Sequence, residues 1–188
     1  MTPFYNVFQD GVTGYVGTRD ADIRGDFQNY VLGQQGNDVQ VRLLHTGKDN
    51  KAKPRLETSD NVVTTGLLHI VHTYDGTTER VYVNGVENPT TVAISGVLSN
   101  WDASDPLTLG NEGSGNRPWA GTMRLMAMYD RALTQAEIQQ NFDAGASGQY
   151  AKFRPCLEES PSTRFRSYRC LGRFACRGNT SLLFSFRG

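Results

Sequence analysis

Residues 1–150 contain no cysteine, so neither a disulfide framework nor thiol chemistry underlies that part of the chain. Cys156, Cys170 and Cys176 all come later, leave one thiol over in any disulfide pairing, and match no zinc spacing. No run approaches the roughly 20 consecutive apolar residues of a membrane helix. With a mean hydropathy of -0.47, the chain reads as soluble and without a membrane span. The N-terminus, MTPFYNVFQDG, has no basic region and no long apolar core, so it does not read as a signal peptide. There is no phosphate loop, no G-x-S-x-G elbow and no dinucleotide fingerprint. Excess charge of one sign is also missing, since the net charge is zero over 188 residues.

That zero conceals a division. Residues 1–150 carry 11 Lys/Arg against 17 Asp/Glu, and residues 151–188 carry 8 against 2. The basic segment, KFRPCLEESPSTRFRSYRCLGRFACRGNTSLLFSFRG, sustains neither a period of 2 nor one of 3.6. No aromatic-basic motif or nucleic-acid-binding fold accompanies its charge, so nucleic acid is not an expected partner. It reads as a Cys-containing tail separable from the domain before it, disordered or out of frame.

Residues 1–150 are rich in short β-type segments: QNYVLG (28–33), DVQVRLL (38–44), LLHIVHTY (67–74), ERVYVNG (79–85), PLTLGN (106–111) and GTMRLMAMYD (121–130). Turn-tolerant stretches such as QQGN, DGTT and NEGSGNRP separate them. Many strands with almost no helix imply a sandwich or barrel. In DVQVRLL the alternation puts Val39, Val41 and Leu43 on one face and Gln40 and Arg42 on the other. One helix is marked in RALTQAEIQQNFDAG, where Thr134 and Glu137 form a capping box and Leu133 and Ile138 a hydrophobic staple. About ten residues are too few for a free-standing helix, so it must dock on a sheet.

Candidate chemistry is sparse. His69 and His72 have H-x-x-H spacing, but residues three apart on a strand face opposite ways and cannot share a metal. No strand carries alternating acids of the kind that would face one cleft as a glycosidase pair. A turn could gather Asp102, Asp105 and Glu112 as calcium ligands, calcium being the one cofactor in view. Trp101 and Trp119 flank PLTLGNEGSGNRP and could supply an aromatic platform for a sugar, with Asn111 and Arg117 as polar neighbours.

The stretch WAGTMRLMAMYDRALTQAEIQQNFDAG (119–145) resembles the end of a laminin-G-like, concanavalin A-like jelly-roll domain. The matching residues are Trp119, Gly121, Tyr129, Asp130, Arg131, Ala132, Leu133, Thr134, Glu137 and Ile138. HTYDGTTERVYVNG resembles the family's strand, Asp-Gly turn and following Tyr-Val-Asn/Asp-Gly. LSNWDASDPLTLGNE and NYVLGQQGNDVQVRLLHTG are similar to a bacterial subgroup. The resemblance covers roughly residues 19–147. It implies an all-β, two-sheet antiparallel jelly-roll sandwich over 19–150 with one short C-terminal helix. Residues 1–18 are poorly matched, which implies missing opening strands and self-association through an exposed sheet edge. Where family domains often have an acid in the last strand, this chain has Arg124 and Leu125.

By this resemblance the expected function is a non-catalytic carbohydrate-binding or adhesion module of a larger secreted or cell-surface protein. Its expected ligand is a carbohydrate or a protein. The alternatives are a glycoside hydrolase of the same superfamily and a truncated gene product without independent function.

Overall fold

A computed structural model describes residues 4–11, 28–59, 61–102, 107–111, 118–145 and 180–187. In chain order the strands are β1 (Phe4–Gly11), β2 (Gln28–Gln35), β3 (Asp38–Leu43), β4 (Leu56–Glu57), β5 (Leu67–Tyr74), β6 (Thr78–Val83), β7 (Val86–Ala93), β8 (Leu107–Leu109), β9 (Thr122–Tyr129) and β10 (Thr180–Arg187). The helix α1 (Gln135–Ala144) lies between β9 and β10 in sequence. Two five-stranded antiparallel sheets result, ordered β4-β3-β2-β1-β8 and β7-β6-β5-β10-β9. Of the sandwich and the barrel that the strand pattern left open, the sandwich implied by the family resemblance is the fold observed.

One core joins the sheets. Tyr30, Leu32, Val39, Val41, Leu43 and Leu56 come from the first sheet, and Leu68, Ile70, Tyr74 and Val81 from the second. The odd-numbered residues of β3 do face this core, while Gln40, on the other face, is also buried and donates to Gln35 Oε1 at 2.9 Å. A smaller cluster lies on the outer face of the second sheet, where Val71 and Tyr82 meet Leu133 and Ile138. Here α1 docks, capped as its sequence implies: Thr134 Oγ1 accepts from Glu137 N, and Glu137 Oε2 accepts from Thr134 N at 2.9 Å. Arg131 adds a fork, its two amino groups donating to the Glu137 oxygens at 2.8 and 2.5 Å.

Two hairpins orient the second sheet. Between β5 and β6, Asp75 Oδ1 accepts from the Thr77 and Thr78 backbone N–H groups at 2.9 and 2.8 Å, and Oδ2 from Arg80 at 2.7 Å. Burial opposes ionisation of Asp75, but these hydrogen bonds outweigh it and hold the carboxyl well below the usual range. Between β6 and β7, Asn84 and Gly85 both have positive φ (51° and 84°), the requirement of the tight turn that suits strand twist. Gln135 of α1 donates to Gly85 O at 2.6 Å, tying helix to hairpin.

Both ends of the chain contribute strands that the sequence reading did not place. Residues 4–11, in the segment read as poorly matched, form β1, which pairs with β2 on one side and β8 on the other. Residues 180–187, in the segment read as a separable tail, form β10 between β5 and β9. Composition obscured this strand, because a period-2 stretch of eight residues is diluted within a long aperiodic one. Its register nevertheless fits: Leu182, Phe184 and Phe186 share rows with His72, Ile70 and Leu68 of β5. On β9 the same rows hold Met128, Met126 and Met123. Residues 12–27 and 146–179 lie outside the described residues.

Candidate functional site

One end of the sandwich gathers charged and aromatic side chains that the sequence scatters over fifty positions. Glu79 and Val81 have the same parity on β6, so a strand that buries Val81 also turns Glu79 inward. Across the ladder Glu79 pairs with Tyr74, with His72 on the neighbouring inward row of β5. The segment after β3 brings in His45 and Lys48. The Lys48 ammonium lies against Glu79 Oε1, His45 Nε2 is 3.6 Å from the same oxygen, and His72 Nε2 is 3.4 Å from Oε2. Glu79 has 0% exposure, as do the side chains of His45 and Lys48.

A carboxylate here would be expelled or protonated without company, since burial disfavours its charge. Burial does push Glu79 upward, but contacts from His45 and His72 and the Lys48 charge reverse this and hold it at about 2. Burial lowers Lys48, with Glu79 opposing the fall. Burial and the adjacent Glu79 charge raise the Tyr30 phenol. The two histidine nitrogens stand at the outer edge of hydrogen-bond distance from the carboxylate, while the Lys48 ammonium touches it directly. His45 Nδ1 accepts from Gly47 N at 3.2 Å, which assigns the ring proton to Nε2, on the Glu79 side.

Loops seal this cluster. His45 stacks on Tyr74 with ring centroids 4.8 Å apart, and Tyr30 lies 5.6 Å from His72. Tyr74 Oη sits within 3.2 Å of the carbonyl oxygens of Gly76, Ile94 and Gly96. Thr46 N donates to Val97 O at 3.1 Å, and Val97 N to Thr46 Oγ1 at 3.0 Å. The approach is so close that a Cβ at Gly96 would overlap His45 Nδ1, and one at Gly47 the Ser95 carbonyl. The arrangement can fasten three loops together. It cannot present Glu79 to a substrate, because the carboxylate has no open side.

The two tryptophans are anchored apart. Trp101 Nε1 donates to Leu44 O at 2.6 Å, beside Asn29, whose side-chain amide exchanges two 2.8 Å hydrogen bonds with the Asp102 backbone. Trp119 Nε1 donates to Gln34 Oε1 at 3.1 Å, and its backbone N to Gly110 O at 2.8 Å. Asn29 and Gln34 stand near opposite ends of β2, on the order of 15 Å apart along a strand. Both indoles pack on the main core, so they do not form one platform. Asn111 is half-buried next to the Trp119–Gly110 link. Asp105, Glu112 and Arg117 lie outside the described residues. Among the described residues no group of three or more His, Cys, Asp or Glu is arranged for a metal ion; the cation against Glu79 is Lys48.

As strand alternation requires, His69 and His72 face opposite ways. His72 enters the sandwich, and His69 lies under α1 with its ring 5.8 Å from Phe142. Burial lowers His69 to about 4, and neither ring nitrogen has a hydrogen-bond partner among the described residues.

The outer faces of the sheets differ. That of the second sheet receives α1. That of the first carries the polar residues of β3 and β4 in adjacent rows, Gly33–Gln40–Glu57 and Val31–Arg42. Gly33, Val31 and Gln40 are buried there, with Gln35, Arg42 and Glu57 half-exposed around them. A glycine within such a row lets another group approach the backbone closely. Sequence reasoning did not single out this face, although the polar half of DVQVRLL signals it.

A laminin-G-type family model, described as the concanavalin A-like lectin/glucanases superfamily, matches residues 9–139. No curated protein and no solved structure matches the chain.

Proposed function

The chain belongs to the concanavalin A-like lectin/glucanases superfamily, and on that premise we propose a non-catalytic module that binds carbohydrate on the outer face of its first sheet. The superfamily supports a carbohydrate-binding or interaction module in general terms. The observation that carries the finer reading is the cluster of half-exposed Gln35, Arg42 and Glu57 around the buried Gln40, in neighbouring ladder rows. Amide, guanidinium and carboxylate groups together offer both donors and acceptors, which suits vicinal hydroxyls. Glu79, the one deeply buried carboxylate among the described residues, is committed to holding loops. Laminin-G-type domains typically work outside the cell, and we place this chain in a secreted or surface protein by the same analogy. Among the described residues no helix is long and apolar enough to cross a membrane.

A glycan array probed with the full chain, with and without calcium, tests this reading. Arg42→Ala should weaken binding to the strongest glycan by tenfold or more while the cooperative unfolding transition is retained. Binding that is indifferent to Arg42 would move the site elsewhere. Release of reducing ends from a polysaccharide, abolished by changing a single acid, would replace the reading with that of a glycoside hydrolase.

A further inference from the structure

Among the described residues, β9 is joined to the second sheet only through β10. β10 bonds to β5 along eight register positions, Thr180↔Tyr74 to Arg187↔Leu67, and to β9 from Ser181↔Tyr129 to Arg187↔Thr122. Without β10, β5 and β9 would leave a slot one strand wide, with backbone donors and acceptors on both walls. Three rows across that slot are apolar or aromatic at nearly every place. Leu68, Ile70 and His72 line one wall, and Met123, Met126 and Met128 the other. All six pack on or lie buried beside the main core. Unbranched thioethers adapt to differently shaped neighbours, which is why methionine recurs at surfaces that accept more than one partner.

The segment that fills the slot is remote in sequence from both walls. β9 ends at Tyr129, α1 ends at Ala144 and β10 starts at Thr180. A stretch of about 35 residues can reach on the order of 100 Å. Covalent connection therefore fixes neither the approach of β10 nor the copy it must enter. A flexible link of this kind gives the chain's own β10 an effective concentration on the order of millimolar, falling with linker length, so β10 of another copy competes for the slot as the protein concentration approaches that range.

We propose that the slot between β5 and β9 is a strand-binding site, and that a second copy of this chain can fill it with its own residues 180–187. Two copies exchanging these strands reciprocally satisfy every ladder bond of the closed monomer and leave no new edge. Exchange of an identical element is a low-cost route to a dimer.

The full chain provides the test. Phe184→Asp places a carboxylate in the Ile70–Met126 row and should empty the slot. A fluorescent peptide of residues 179–188 should then bind this variant with one-to-one stoichiometry and raise its thermal midpoint. The same peptide carrying Phe184→Asp should bind at least tenfold more weakly. Separately, two isotopically distinct batches of unaltered chain, mixed at high concentration, should yield mixed-label dimers that excess peptide dissociates. Equal binding of the two peptides overturns the proposal, as does no saturable binding. Dimers that survive excess peptide place the contact on another surface and overturn it too, and a chain that stays monomeric does the same.

Discussion

Glu79 shows how one buried charge can organise a protein's end. Its carboxylate is stable inside only because Lys48, His45 and His72 surround it. Removing one partner of such a group leaves the other as an uncompensated buried charge, typically at a cost of ~3–5 kcal/mol. Glu79→Gln should therefore lower the urea midpoint sharply, and Glu79→Gln combined with Lys48→Met should recover much of the loss. If the double variant is no better than the single one, the Lys48 contact is not what the carboxylate stabilises. His69 contributes a pH dependence of its own. Its ordinary value of 6.5 falls to about 4 on folding, so the unfolded chain binds more protons between those values. Stability then declines as pH drops from 6.5 towards 4, by at most about 3 kcal/mol and less where solvent screens the ring. Glu79, depressed from 4.5 to about 2, adds a second decline over that lower window. Thermal midpoints measured against pH should lose the upper slope in His69→Phe and keep the lower one.

At the scale of elements, the helix is the part most completely written in the sequence. Capping box, staple residues and positive-φ glycine (Gly145, 66°) all occupy the positions that RALTQAEIQQNFDAG implies. Thr134→Ala should cost about 1 kcal/mol, the usual value of an N-cap, read as a shift in thermal midpoint with unchanged spectroscopic signature. The β5–β6 hairpin was equally legible as a strand, an Asp-Gly turn and a strand. Its charged interior was legible too, through the shared parity of Glu79 and Val81, but a Glu just after a turn invites a solvated reading. β7 is harder to see because Pro89 interrupts it. Proline is tolerated there because β7 is an edge strand and Pro89 falls in the irregular stretch of its ladder with β6, between the paired positions Glu87 and Thr91. The pairing of His45 with Glu79 had no signal in the chain at all. It arises from loops meeting at Gly47 and Gly96, which local pattern cannot report.

Across the whole molecule, alternation and turn chemistry disclosed a sandwich or barrel, the family resemblance selected the sandwich, and neither told which strands complete it. Among the described residues the first sheet ends in β4 and β8, two and three residues long, so its edges are short. Those edges and the proline-bearing β7 are of the kind that resists edge-to-edge pairing, whereas the fourth edge, β9, is eight residues long and has no proline. Residues 4–11, FYNVFQDG, which the family resemblance leaves poorly matched, supply β1 through ladder pairing with β2 and β8. The order of β5, β10 and β9 also has a bearing on synthesis. Chains leave the ribosome N-terminus first at about 5–20 residues per second. β5 and β9 therefore emerge with their facing edges open, and the strand that lies between them follows on the order of 5–20 s after β5. During that interval the first sheet has all its strands available, while the second is in two pieces joined only by the chain. Nascent copies on neighbouring ribosomes of one message would display these open edges at high local concentration, which makes polysome spacing and chaperone occupancy determinants of how much correctly closed protein is made.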